Sequence, residues 1–338
     1  MNRILSFAGR SLAALWLVQM LPAQALEDAD RLTAVQQTIT GNAACTGLTR
    51  FYWEIGDKVG GSGHVWSGTG GATGIAPGAT QQIAIYSAGK WLWGAYAYER
   101  LGGVLNATEA SLLNMTAGYV TQPGMNQCTI YTTVQACLNS MPARDDSAIG
   151  RFNYGSGHFQ KQAVDSFKVT PTPTGLGPMS KSQLATEIRR VLGTDITLSY
   201  NAPQLAGGAK SSAADYARFL RKVLNGQLRI GSALGTQAVC TLADASCNAG
   251  YSPANDAAAG LQEPWHYSIG HWVEDAPGIG DGAFSSPGAA GFYPWIDASK
   301  TYYGILARNV VATTSAGNSV KCGRKIRAAW LTAAPQLQ

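Results

Sequence analysis

Ser87-Ala88-Gly89-Lys90 sets a hydroxyl and an amine one helical turn apart. The four residues follow a short apolar run, Ile83-Ala84-Ile85-Tyr86. They lead into Trp91-Leu92-Trp93-Gly94-Ala95-Tyr96-Ala97-Tyr98-Glu99-Arg100, whose nearly all-round apolar character predicts a buried helix. A serine at a helix start lies beside N–H groups that have no intrahelical partner. A lysine three residues on returns to the same face. A hydroxyl beside an amine is the smallest kit for an activated serine nucleophile. Lysine ordinarily holds its proton up to pKa ~10.4, so the amine must be buried near a second group to act as a base. The same spacing also fits an N-cap serine followed by a solvated lysine, and the rest of the chain has to decide between them.

The chain has 338 residues, 13% charged, with 40 Gly and a formal net charge of +5. Its N-terminus reads as a secretory leader. Arg3 and Arg10 precede the apolar stretch Leu12–Leu21, and Ala23-Gln24-Ala25 is a small-x-small cleavage site. Residues 1–25 are therefore expected to be removed near Ala25, which makes the mature protein secreted or periplasmic. Losing two arginines and no acid lowers the charge from +5 to +3. That is too mild, and too scattered, for a nucleic-acid partner. No later apolar run reaches the length of a membrane span, so no stable membrane insertion is expected. The remaining residues can bury a large core and read as a loop-rich secreted enzyme.

Six cysteines remain after cleavage, and six allow 15 pairings. Cys128/Cys137 and Cys240/Cys247 are close enough in sequence to staple single loops, which leaves Cys45 to meet Cys322 and tie the chain ends together. The chain has no C-x-x-C and its four histidines are dispersed, so no metal site is expected. Along the chain, residues 46–86 read as strands and hairpins broken by Gly-rich turns. Helices are expected over residues 87–101, 108–115, 182–192 and 211–224, and at the C-terminus from Lys321 to Ala334. Strands return at Tyr267–Val273, Phe292–Ile296 and Thr301–Ala307. This order predicts an α/β fold, with one sheet built from both chain ends (about 26–86 and 265–338) and a mostly helical lobe between them (about 87–264).

Four further stretches carry a family resemblance. These are Leu112-Leu113-Asn114-Met115-Thr116-Ala117-Gly118, Arg151-Phe152-Asn153-Tyr154-Gly155-Ser156, the run from Ala206-Gly207-Gly208 to Ala217-Arg218-Phe219, and Ser286-Pro287-Gly288-Ala289-Ala290-Gly291 followed by Trp295-Ile296-Asp297. With Ser87-x-x-Lys90 they stand in the order of the class C β-lactamase and penicillin-binding-protein-like serine hydrolases. In style they are nearest to the nylon-oligomer hydrolase and esterase branch. The resemblance runs over roughly residues 45–335. It implies a β-lactamase-like fold and cleavage of a small or oligomeric ester or amide through an acyl-enzyme, without cofactor or metal.

The resemblance also assigns roles. Ser87 is the implied nucleophile, and Lys90 with Tyr154 the implied proton-transfer unit. The N–H groups of Ser87 and Ala289 form the implied oxyanion hole. Ser156, Ser286 and Gly288 fall at substrate-binding positions. Two departures stand out. Ser156 replaces the second-motif asparagine, as it does in the nylon-oligomer branch. Ser286-Pro287 replaces the third-motif Lys/His-Thr, removing the cation that helps hold a substrate carboxylate. A β-lactamase or D-Ala-D-Ala-type peptidase is therefore the second expectation, and an inactive cell-wall or partner-binding protein the third. Arg308 and Lys210 are candidate replacement cations. His158 and His271 could line the cleft or be packed structurally, and most tryptophans are expected in the core. There is no G-x-S-x-G, P-loop or dinucleotide fingerprint.

Overall fold

The computed structural model describes residues 21–59, 63–120, 128–167, 175–242 and 261–338. Its helices are α1 (Leu21–Gly41), α2 (Ala43–Thr46), α3 (Gly89–Arg100), α4 (Ala107–Leu113), α5 (Val134–Asn139), α6 (Gly157–Asp165), α7 (Lys181–Leu192), α8 (Ala213–Leu224), α9 (Ile230–Ala233) and α10 (Ser315–Thr332). Its strands are β1 (Phe51–Asp57), β2 (Val65–Gly70), β3 (Ile83–Ala84), β4 (Ser199–Tyr200), β5 (Ala209–Ser211), β6 (Val239–Cys240), β7 (His266–Tyr267), β8 (Trp272–Glu274), β9 (Ala283–Ser285), β10 (Tyr293–Ile296) and β11 (Tyr302–Ala307).

Eight strands form one antiparallel sheet in the order β2-β1-β11-β10-β9-β8-β7-β6. Strands from the two chain ends therefore pair side by side, with Tyr52 opposite Ala307 and Asp57 opposite Tyr302. Alternation along β1 sends Phe51, Trp53 and Ile55 to one face, towards α1 and α10. Glu54 goes to the other face, where it accepts from the Tyr303 hydroxyl and pairs with Arg221 of α8. Covered on both sides, β1 is buried almost throughout. The Cys45–Cys322 disulfide joins α2 to α10, and Cys128–Cys137 closes a short loop at α5. Cys240 is also disulfide-bonded, while its expected partner Cys247 lies outside the described residues. No described helix is long and apolar enough to cross a membrane.

Several elements differ from the sequence reading. Residues 1–20 of the expected leader lie outside the described residues, and α1 begins at Leu21, before the expected cleavage point. Its buried side chains Val35 and Ile39, with partly buried Leu32, follow a helical 3–4 spacing. Tyr267–Val273 is not one strand but the hairpin β7–β8. The chain reverses at Gly270 (φ +70°), where a Cβ would lie 2.4 Å from the Lys90 carbonyl oxygen. The facing helix meets the same demand: a Cβ at Gly94 would lie 2.3 Å from the Ile269 carbonyl oxygen. That close approach accounts for a glycine in mid-helix, which costs about 1 kcal/mol relative to alanine. The terminal helix starts at Ser315, six residues before the expected Lys321. A second small sheet, β3-β5-β4, was not anticipated, and it turns out to support the site.

Candidate active site

Ser87 lies in a 3-10 turn, Tyr86–Ala88, that runs directly into α3. Tyr86 holds φ +47°, a left-handed backbone angle that disfavours a bulky residue. Three contacts fix the turn. The Ile85 N–H donates to the Ala209 carbonyl at 3.0 Å, extending the β3–β5 ladder. The Tyr216 hydroxyl of α8 donates to the Ala88 carbonyl at 2.8 Å. The Ser286 hydroxyl donates to the carbonyl of Ser87 itself at 2.9 Å.

Lys90 is 4% exposed. Its Nζ donates to Ser87 Oγ at 3.0 Å and to the Ala206 carbonyl at 2.8 Å, and it lies 4.4 Å from the centroid of the Tyr154 ring. No ion pair to Lys90 occurs among the described residues, and burial alone pushes its amine down to about 7. Burial pushes the Tyr154 phenol up to about 12, while its hydrogen bond with the Ser87 side chain pulls the other way. The Tyr154 ring stacks on Trp272 (5.2 Å, 29°) and meets Tyr267 edge-on at 5.8 Å. At neutral pH the pair therefore comprises a partly deprotonated amine and a neutral phenol.

The Ala206 carbonyl and the residues that brace it were not legible in the sequence. Gln160 of α6 is completely buried. Its amide donates to the Val134 and Pro203 carbonyls at 3.0 and 2.8 Å and accepts from the Leu205 N–H at 3.3 Å. It thus pins the segment that presents Ala206 to Lys90. In the next residue back along that segment, Gln204 donates to Ser156 Oγ at 3.0 Å.

Gly288 packs against the nucleophile's approach strand, where a Cβ would lie 2.1 Å from the Ile85 carbonyl oxygen. Its N–H donates to Phe292, and the Gly291 N–H returns to the Gly288 carbonyl, so residues 288–291 form a tight turn. Ala289 is exposed on that turn, and among the described residues its N–H has no backbone acceptor. Ser286 is 1% exposed and its hydroxyl is engaged by Ser87, so it faces the nucleophile's backbone rather than the cleft. Arg308 is buried beside Gly291, and Lys210 sits on β5 opposite Ala84. His158 accepts from the Tyr119 N–H, and His271 accepts from the Gly235 N–H and stacks on Trp91. Burial depresses both imidazoles, to about 3 and about 4. Both are completely buried. Among the described residues no cluster of three or more His, Cys, Asp or Glu could hold a metal ion.

Chains of known structure share this arrangement of elements. A β-lactamase/D-alanine carboxypeptidase from Yersinia pestis superposes with a TM-score of 0.61 at 13% identity, covering 91% of this chain and 99% of its own. The fold is β-lactamase-like. A D-stereospecific amidohydrolase from Streptomyces sp. matches with a TM-score of 0.53 at 16% identity, over 88% of this chain and 97% of its own. Simvastatin synthase from Aspergillus terreus matches with 0.52 at 14% identity, over 90% and 98%. No family model and no curated protein matches the chain. In this fold Ser87 and Lys90, Tyr154 and the 286–291 turn come together from three distant stretches of the chain.

Proposed function

We propose that this chain is an exported serine hydrolase that cleaves a neutral ester or amide through an acyl-enzyme on Ser87. The observation that carries the reading is a buried lysine amine, pushed down to about 7, at 3.0 Å from a serine hydroxyl. An amine in that state accepts a proton at neutral pH, where an ordinary lysine would not.

Ser87 Oγ attacks the acyl carbon while its proton passes to Lys90 Nζ. The carbonyl oxygen gains the negative charge and is held by the N–H groups of Ser87 and Ala289. As the intermediate collapses, the bond to the leaving group breaks, and the proton reaches that group from Lys90 by way of the Tyr154 hydroxyl. Water then attacks the acyl-enzyme, loses its proton to the same unit, and Ser87 regains its hydrogen as the acid departs. Tyr154, pushed up to about 12, acts here as a relay rather than as a standing phenolate.

Ser286 argues against a β-lactamase or D-Ala-D-Ala-type peptidase, because a neutral side chain takes the third-motif position of the cation that helps hold a substrate carboxylate. The Ser87–Lys90–Tyr154 cluster argues against an inactive binding protein. Two observed disulfides suit an oxidising compartment and support the reading of residues 1–25 as a leader. The test is turnover of short acyl esters by Ser87→Ala. Activity should fall by about 10³-fold or more with the fold intact, and retention of most activity would end this reading.

A further inference from the structure

Arg308 closes β11 and is 4% exposed, yet its guanidinium is poorly matched. Nη2 reaches the Ser315 hydroxyl only at 3.5 Å, and among the described residues Nε and Nη1 have no partner. Among the described residues no carboxylate pairs with it. The contrast is Arg327 of α10, equally buried, which is held by Glu274, Asp281 and the Tyr293 hydroxyl at 2.7–2.8 Å. An unpaired ion inside a protein costs several kcal/mol unless a counter-charge accompanies it.

The side chains around Arg308 are neutral hydroxyls, which can donate as well as accept. Ser319 of α10 is completely buried, and its hydroxyl also lacks a partner among the described residues. Arg308 and Ser319 converge on Gly291, where a Cβ would lie 2.8 Å from Ser319 Oγ and 3.3 Å from Arg308 Nε. The third wall is the first turn of the 18-residue helix α10, whose N-cap residue Thr314 makes no side-chain cap. Helix N-termini attract negative charge through their free N–H groups. An anion accepts from these groups at once and supplies the counter-charge for the guanidinium that a neutral acceptor would not. The enclosure by buried side chains restricts it to a small one.

We propose that Arg308, Ser319 and the first turn of α10 hold a small monovalent anion of the halide class behind the Gly288–Gly291 turn. The bound charge neutralises the guanidinium and ties three pieces of chain together. The Val310 N–H donates to the Ala290 carbonyl at 3.0 Å, so the loop after Arg308 is already fastened to that turn. The anion completes the joint from beneath. Any effect on turnover through the Ala289 N–H rests on the hydrolase reading above, whereas the binding itself does not.

The experiment is thermal unfolding of the full chain while sodium gluconate is exchanged for sodium chloride at constant ionic strength. The expected result is a saturable rise in Tm of about 2–4 °C. The rise should vanish in Arg308→Met and need several-fold more chloride in Ser319→Ala. Ser87→Ala should keep it in full, which separates this proposal from the catalytic one. If Arg308→Met does not fold, Ser319→Ala alone carries the comparison, and crystals soaked in sodium bromide should show an anomalous peak beside Arg308 Nε. A flat response of the parent chain, an undiminished response in the variants, or no bromide peak at that position would overturn the proposal.

Discussion

The Ser286 hydroxyl donates to the Ser87 carbonyl at 2.9 Å across 199 residues of sequence. The third-motif side chain therefore clasps the turn that carries the nucleophile. Replacing Ser286 by alanine removes one neutral hydrogen bond, worth about 0.5–1.5 kcal/mol. The expected outcome with a neutral ester is a several-fold drop in kcat at unchanged KM. A raised KM with unchanged kcat would instead place Ser286 in substrate binding.

The pH profile follows from Lys90. Its neutral amine is the active form, and the amine is pushed down to about 7. Below that value the charged form accumulates, so kcat/KM for a neutral ester should fall about tenfold per pH unit. A profile flat from pH 5 to 8 would contradict this. The same shift affects stability. An unfolded lysine titrates near ~10.4, so between about 7 and that value the unfolded chain binds more protons than the folded one. Stability from this residue therefore rises with pH through that window. Unfolding measured against pH should show the rise in the parent chain and lose it in Lys90→Met.

Gly288→Ala would place a methyl 2.1 Å from the Ile85 carbonyl oxygen. The 288–291 turn must then move away from Ser87 and take the Ala289 N–H with it. Loss of one oxyanion donor lowers kcat by about 10²–10³-fold. Steady-state kinetics on the folded variant should show that loss; near-parental kcat would remove Ala289 from the oxyanion hole.

Substrate preference follows from the missing cation. A charged hydrogen bond to a carboxylate is worth roughly 1.5–3 kcal/mol. Its absence should cost carboxylate-bearing substrates on the order of 10–100-fold in kcat/KM. p-Nitrophenyl butyrate should therefore be hydrolysed with a higher kcat/KM than a chromogenic cephalosporin. The reverse order would favour a β-lactamase.

Local chemistry was the legible part of the sequence. The Ser87–Lys90 spacing is one helical turn, and the structure places the two groups 3.0 Å apart. The strands that join the chain ends are legible because β1 and β11 are dense in aromatic and β-branched residues. Other features depend on contacts that no local pattern encodes. The Ala206 carbonyl lies 116 residues from Lys90, and Gln160, an ordinary polar residue in sequence, is a buried brace. The β7–β8 hairpin looks like one strand in sequence because its reversal rests on a single glycine pressed against α3. Helix α1 is hard to read in sequence because it overlaps the expected leader, although Leu32, Val35 and Ile39 carry its period.

The most direct test of the account is labelling of the purified protein with a fluorophosphonate, followed by intact-mass measurement and peptide mapping. The predicted result is a single adduct on Ser87 that forms faster as the pH is raised through about 7 and is absent in Ser87→Ala. An adduct on another residue, or none from a folded protein, would contradict an activated Ser87.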